Sequence, residues 1–417
     1  MGYYSFLPAV FIYHDLKTLS FYPDVVSKYD LAADKKYYAT YEQPNGNRLN
    51  KYSVGVALLE WPGFWIADTY VRNTSHFDED GFSTPYQVSV ALSGILFTVL
   101  GLIFLRSFLN RYYTDGVTSL TLLCIGIGTN LYFYTAFDFG MSHQFSFGLF
   151  ACMLYFTGRW YRLGKLKDAC ALAITAGFIA LVRPINIIVL LVPLLWGIYN
   201  VETLRERLHF YYAKYKQIII ALAFFALILM IQFVYWKLIS GKWILDTYKE
   251  ETFNFAHTHI FKGLFGYRKG WFVYTPIALI GIFGFYMLWR QYKQLVPALT
   301  VYFSVAIFLT FSWHDWWYGG GFGARALVES LAVLSLPLAA FIAAIVKSNK
   351  YLRITGITVL VALIGLNMFQ VYQSAKGTLP YDMINRQYYW RVFGKVKATD
   401  EDRKYLMTSE DFINDME

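Results

Sequence analysis

The sequence predicts an all-α polytopic membrane protein, a bundle of about ten transmembrane helices carrying extracytoplasmic loops. Three observations predict it. Residues of the hydrophobic set make up 57% of the chain, mean hydropathy is +0.37, and only 16% of residues are charged. A soluble domain carries about a quarter charged residues. The apolar residues also fall into long blocks, and a spanning helix needs roughly 20 of them in a row. Such a composition disfavours a disordered chain, a disulfide-rich secreted module and an ordinary cytosolic enzyme.

The blocks run 86–105, 117–137, 143–157, 169–182, 186–199, 218–236, 272–289, 295–312, 326–346 and 354–372. The fourth and fifth are short and meet at Arg183-Pro184. Proline cannot continue a helix without losing a backbone hydrogen bond, so a break is expected there. Charge decides against one long kinked span. Loop 158–168 carries Arg159, Arg162, Lys165 and Lys167, and loop 200–217 carries Arg205, Arg207, Lys214 and Lys216. Lysine and arginine mark cytoplasmic loops. Two such loops on one side require an even number of crossings between them, hence two short helices meeting at an outside turn.

The remaining loops alternate. Arg106 and Arg111, Arg290 and Lys293, and Lys347, Lys350 and Arg353 fall inside. Loops 138–142, 237–271 and 313–325 fall outside. The resulting division is an extracytoplasmic first loop (1–85) with interfacial helices, a transmembrane domain (86–372) and a short extracytoplasmic tail (373–417). Within the first loop, stretch 53–67 is apolar but short and holds Glu60 and Pro62, which suits a helix on the membrane surface. An outside start with 85 residues ahead of the first block leads us to expect a helix upstream of Met1. No signal-peptide pattern opens the chain.

The net charge of +9 is spread over the inner loops rather than gathered into a stripe, so nucleic acid is not an expected partner. The cysteines Cys124, Cys152 and Cys170 lie in or beside apolar blocks without CxxC spacing and read as small buried hydrophobes. No internal repeat or low-complexity tract is visible.

Chemistry-bearing residues gather on the outer side. Ionisable groups at a membrane are costly and become functional candidates. Segment FDFGMSHQFSFGLF (137–150) puts Asp138 in an outside turn and His143 at the entry of a span, as a catalytic pair or as a cap and an interfacial histidine. In LVRPIN (181–186), Arg183 either grips a phosphate through paired charge-assisted bonds or caps its own helix. GLFGYRKGWFVYTP (263–276) places Arg268 and Lys269 before a span, for a headgroup or for simple snorkelling. WHDWWYGGGFGARALVE (313–329) combines His314, Asp315, three consecutive glycines, Arg325 and Glu329. There Arg325 either meets a lipid phosphate, oriented by Glu329, or forms a structural i, i+4 pair with it. Asp15, after His14, is a conceivable general base or a turn residue. His257-x-His259 is a weak metal signal, since a zinc site needs a third or fourth ligand. No metal site is assigned; the cofactor stays unknown, with a divalent cation left open.

Taken in order, YYSFLPAVFIYHDL, NKYSVGVALLEWPGF, DFGMSHQFSFGLF, ALVRPIN, LFGYRKGWFVYTP and WHDWWYGGGFGARALVE resemble the GT-C superfamily of integral-membrane glycosyltransferases. Within it the chain is similar to protein mannosyltransferases and bacterial lipid-phosphate-sugar transferases. The resemblance implies a GT-C-like bundle, a polyprenyl-phosphate-sugar donor, and a glycan, lipid or protein acceptor on the extracytoplasmic face. It also implies inversion at the anomeric carbon in a membrane-lipid setting, here the bacterial inner membrane. A carboxylate would deprotonate the acceptor and cations would stabilise the leaving phosphate. On this reading Asp138, Asp15 and His143 are catalytic; Arg183, Arg268, Lys269 and Arg325 bind the donor phosphate; His314, Asp315 and Glu329 support them. Relatives carry an essential acid just ahead of the position of GYYSFLPA, which here would lie upstream of Met1. Two readings compete: a transporter, flippase or polysaccharide polymerase, which would need polar groups at mid-membrane, and a scaffold subunit of an envelope machine.

Overall fold

A computed structural model describes residues 2–30, 39–248, 251–408 and 411. In chain order the elements begin with α1 (Phe6–Phe11), α2 (Tyr22–Tyr29), a hairpin of β1 (Thr40–Glu42) and β2 (Arg48–Asn50), and α3 (Gly55–Arg72). Then come α4 (Thr84–Leu109), α5 (Asp115–Ile127), α6 (Leu131–Ala136), α7 (His143–Leu163) and α8 (Leu166–Val182). A 3₁₀ segment (Pro184–Leu190) leads to α9 (Leu191–Leu194), α10 (Val201–Ala213) and α11 (Tyr215–Ser240). The chain continues through α12 (Ile260–Phe265), α13 (Trp271–Tyr274), α14 (Pro276–Tyr292), α15 (Val296–Phe311), α16 (Leu331–Lys347) and α17 (Lys350–Ala375). Two short helices, α18 (Arg386–Val392) and α19 (Asp400–Arg403), follow.

All ten apolar blocks coincide with helical structure, but not all as single helices. Among the described residues, four runs are long and apolar enough to cross a membrane: Thr84–Leu109, Tyr215–Ser240, Pro276–Phe311 and Lys350–Ala375. The third is two helices, since Tyr292 leaves helical geometry with φ −144° and ψ 62°. Block 117–137 is broken between α5 and α6, where Gly128 ends the first helix. The expected second short helix, 186–199, is mostly not α-helical. Pro184 and Pro193 interrupt the ladder, and seven residues adopt the 3₁₀ form. That form rises about 2.0 Å per residue against 1.5 Å in an α-helix, so a short segment covers more depth.

Helices α11 and α17 turn much of their apolar surface outward, with Leu222, Leu227, Val359 and Val361 all exposed. Exposed leucines along a whole helix suit hydrocarbon rather than water. By contrast α14 and α16 pack almost backbone to backbone. A methyl added to Gly284 would meet the Pro337 carbonyl oxygen, and one on Gly281 would strike Leu334. Small residues allow such approach where lipid offers no hydrophobic driving force.

The loops sort into two ends. At one, Tyr292 Oη donates to the Tyr112 carbonyl at 2.7 Å, Gln217 donates to the Gly164 carbonyl at 2.9 Å, and Lys293 lies over the Tyr199 ring. The basic loops named above share this end. The opposite end carries the first segment, which has its own core of Tyr4, Phe6, Leu7, Phe64, Phe82 and Tyr86. There Asn45 and Asn47 each donate to the Ile239 carbonyl at 2.8 Å, and Asn50 N–H donates to Tyr235 Oη at 2.9 Å. Stretch 53–67 enters α3 at Gly55, and Glu60 is buried against protein.

Candidate functional site

Three helix ends meet at the second end. His143 opens α7, Arg183 sits at the break after α8, and Glu329 precedes α16. The buried Glu329 carboxylate gathers them. His143 Nδ1 is 3.0 Å from Oε2, while an Arg183 guanidinium nitrogen is 3.3 Å and Asn186 Nδ2 2.9 Å from Oε1. Arg183 also approaches His143 Nδ1 at 2.9 Å. One nitrogen cannot serve both partners: protonated it donates to Glu329, unprotonated it accepts from Arg183. The structural i, i+4 pairing of Arg325 with Glu329, one of the two sequence readings, does not form; Glu329 pairs with Arg183 instead. Residues 325–327 form a 3₁₀ turn, not an α-helix, so four-residue spacing does not align them.

The glycine loop is shaped by backbone conformations that side chains resist. Gly319 and Gly323 have φ of +65° and +59°, and Tyr318 at +59° is a non-glycine residue in the same region. Tyr134 Oη donates to the Phe322 carbonyl at 3.1 Å and accepts from its N–H at 3.0 Å. The tail reaches the same loop, since Gly321 N–H donates to the Tyr381 carbonyl at 2.9 Å.

Two residues expected as phosphate ligands bond within this architecture. Lys269 Nζ donates to the carbonyls of Gly321 and Tyr381 at 2.5 and 2.6 Å. Burial pushes its ammonium down to about 7. Arg268 makes a two-pronged pair with Asp382 at 3.0 and 3.2 Å and stacks 3.8 Å from the Trp317 ring centroid. Arg325 differs: its guanidinium donates to the Gly320 carbonyl at 3.0 Å. Among the described residues no carboxylate lies within ion-pair distance of it.

Arg325, Arg183 and His143 line a cavity of about 720 Å³, together with Asp315. The wall also includes Tyr3, Lys51, Tyr52, Tyr248 and Glu251, and Lys51 pairs with Glu251. Sequence reasoning missed this wall. Lys51 lies within a string singled out from the sequence, but the 200-residue separation between Lys51 and Glu251 hides their pairing.

The carboxylates divide. Asp15 is engaged locally: Thr18 and Ser20 each give it a backbone and a hydroxyl hydrogen bond, between 2.6 and 2.8 Å. Against partial burial, these bonds hold it well below the usual carboxylate range. It does not line the cavity, and its turn-residue reading fits these bonds. Asp138 and Asp315 each keep one buried oxygen without a partner among the described residues. Burial raises both above the usual range, opposed in each case by the charge of Arg325. His314 is exposed, and its backbone N–H ties the loop to the Thr252 carbonyl at 2.9 Å. His257 is exposed, and His259 stacks on Trp316. No group of three or more potential metal ligands occurs among the described residues.

No family model and no curated protein sequence matches the chain. Among solved structures, it is similar to the Archaeoglobus fulgidus oligosaccharyltransferase in the apo form. The TM-score is 0.47 at 12% identity over 86% of this chain and 51% of that one. A second structure is the oligosaccharyltransferase AglB of the same organism, in complex with an inhibitory peptide and a dolichol-phosphate. Its TM-score is 0.44 at 12% identity, with the same coverage. The chain therefore spans about half the length of the solved structures it matches.

Proposed function

We propose that the chain is a membrane glycosyltransferase that moves a sugar from a polyprenyl-phosphate-linked donor to an extracytoplasmic acceptor, with inversion. The observation that carries this reading is Arg325, a guanidinium facing a cavity with no ion-pair partner among the described residues. A leaving phosphate needs a cation that is free to strengthen its contact as charge develops. Arg183 lines the same cavity and adds positive field, although Glu329 shares its charge. Aromatic walls from Tyr3, Tyr52 and Tyr248 suit a sugar ring. A carboxylate near Arg325 takes the acceptor proton; Asp138 is the residue nominated from the sequence. Arg268 and Lys269 hold the glycine loop and act on the phosphate only through it.

On this reading the acceptor is a glycan, lipid or protein of the cell envelope, and the protein works in a bacterial inner membrane with its cavity on the periplasmic face. A mannosyl-like hexose is the first sugar to try. The test is sugar transfer in proteoliposomes from a panel of polyprenyl-phosphate sugars. Transfer that disappears in Arg325→Ala, with the protein still inserted, is expected. Absence of transfer and of sugar release across the panel overturns the reading.

A further inference from the structure

Two carboxylates face Arg325, and their surroundings differ. Asp315 lines the cavity, whereas Asp138 is not among its walls. A methyl placed on Gly319 would lie 3.7 Å from Asp315 Oδ2 and 4.0 Å from an Arg325 guanidinium nitrogen, so one glycine separates acid from cation. The other oxygen, Oδ1, is buried and lacks a partner among the described residues. A buried carboxylate oxygen without a donor is costly and calls for an explanation in chemistry or a bound group. The loop spends left-handed conformations at Tyr318 and Gly319, three and four residues after Asp315, and the Tyr318 N–H donates to the Asp315 carbonyl at 2.7 Å. Strain of this kind persists where the surroundings over-determine it, and often marks functional sites.

We infer that Asp315, rather than Asp138, is the general base that takes the acceptor's proton. This rests on the glycosyltransferase reading. The acceptor hydroxyl oxygen forms a bond to the anomeric carbon while the bond from that carbon to the phosphate oxygen breaks. The hydroxyl proton passes to the Asp315 carboxylate, the bond electrons leave with the polyprenyl phosphate, and Arg325 receives its growing charge. Asp315 then returns its proton to water through the cavity. Asp138, whose charge is felt by Tyr134 and Tyr381, lies outside the cavity lining and acts on Arg325 only through space. The groups facing Asp315 are Arg325 and the Gly319 N–H from its own loop, Arg268 from the segment after α12, and Glu251 from the cavity wall. Burial outweighs the two arginines and raises the carboxyl above the ordinary range. A general base of that kind is stronger than a surface aspartate and fails only as pH falls through its raised value.

Two measurements on the full chain in proteoliposomes test this. Sugar release from a polyprenyl-phosphate hexose to water is followed against pH. The wild type should lose rate on acidification with an apparent pKa above the ordinary aspartate value of about 3.9. Asp315→Asn should fall by about 100-fold or more and lose that acid limb. Asp138→Asn should raise KM for the donor and keep the limb. An unchanged acid limb in Asp315→Asn overturns the assignment. Separately, a water-soluble carbodiimide with glycinamide, mapped by mass spectrometry, should amidate Asp315 ahead of Asp138 and Asp15. An inert Asp315 overturns the assignment even where sugar release is seen. Amidated Asp315 with no sugar release supports a free carboxylate in the cavity and instead removes the transferase reading.

Discussion

The guanidinium of Arg183 lies 3.3 Å from Glu329 Oε1, and the carboxylate side chain of that pair is 1% exposed. This joins the α8 break to the start of α16, with the carboxylate buried and the guanidinium at the edge of the cavity. Breaking a buried pair by removing one partner costs about 3–5 kcal/mol, because the survivor is left charged and unpaired. Glu329→Gln keeps the volume but leaves Arg183 without its counter-charge. It should lower the unfolding midpoint in detergent markedly, and Arg183→Met added to it should recover part of the loss.

Arg325 is expected to act on turnover and not on folding. Among the described residues its side chain makes one hydrogen bond, to the loop backbone, and it lines the cavity. Arg325→Ala should reduce transfer by about 100-fold or more with little change in thermal stability. Arg325→Lys should recover only part, since an ammonium lacks the planar fork. Parallel transfer and melting measurements check this.

Lys269 gives a pH dependence whose sign follows from its depressed value. In the folded chain its ammonium loses the proton near 7, against an ordinary value of 10.5. Between those values the unfolded chain holds a proton that the folded chain has released. Stability therefore rises with pH across that window, by up to about 1.4 kcal/mol per pH unit. Denaturation at pH 7 and pH 9 should show the rise in the wild type and lose it in Lys269→Met.

Helix packing supplies a steric prediction. The methyl of Gly284→Ala would press on the Pro337 backbone carbonyl, which cannot swing aside as a side chain can. Overpacking costs typically 1–3 kcal/mol. Less folded protein should emerge from size exclusion in detergent, whereas Gly365→Ala, with open space around it, should behave as wild type.

Sidedness is open to labelling. With Cys124, Cys152 and Cys170 replaced, a cysteine at the exposed His76 should react with a membrane-impermeant maleimide from outside intact cells. One at the exposed Lys167 should not. The reverse pattern inverts the topology.

Periodicity and charge made much of the bundle legible, because each apolar block is a local signal. The break at Arg183 was legible for the same reason, since proline acts on its own helix. The 3₁₀ form of Pro184–Leu190 was not, because choosing between helical forms depends on neighbours such as α15. Of the residues singled out from sequence, His143, Arg183 and Glu329 come together, but their pairing was not legible. Glu329 was read with Arg325 by spacing, yet it pairs with Arg183, 146 positions earlier in the sequence. Arg268 was read as a phosphate ligand because nothing nearby in sequence foretells Asp382.

The clamp of Lys269 and Arg268 on Tyr381 and Asp382 has a bearing on the order in which the protein is made. The glycine loop takes its final bonds from residues about 60 positions further along the chain, after α16 and α17. Synthesis must therefore pass those two helices before the loop around Arg325 is locked. The geometry around Arg325 is thereby tied to a segment that follows the last long helix, so the placing of α16 and α17 and the shaping of the loop are one event.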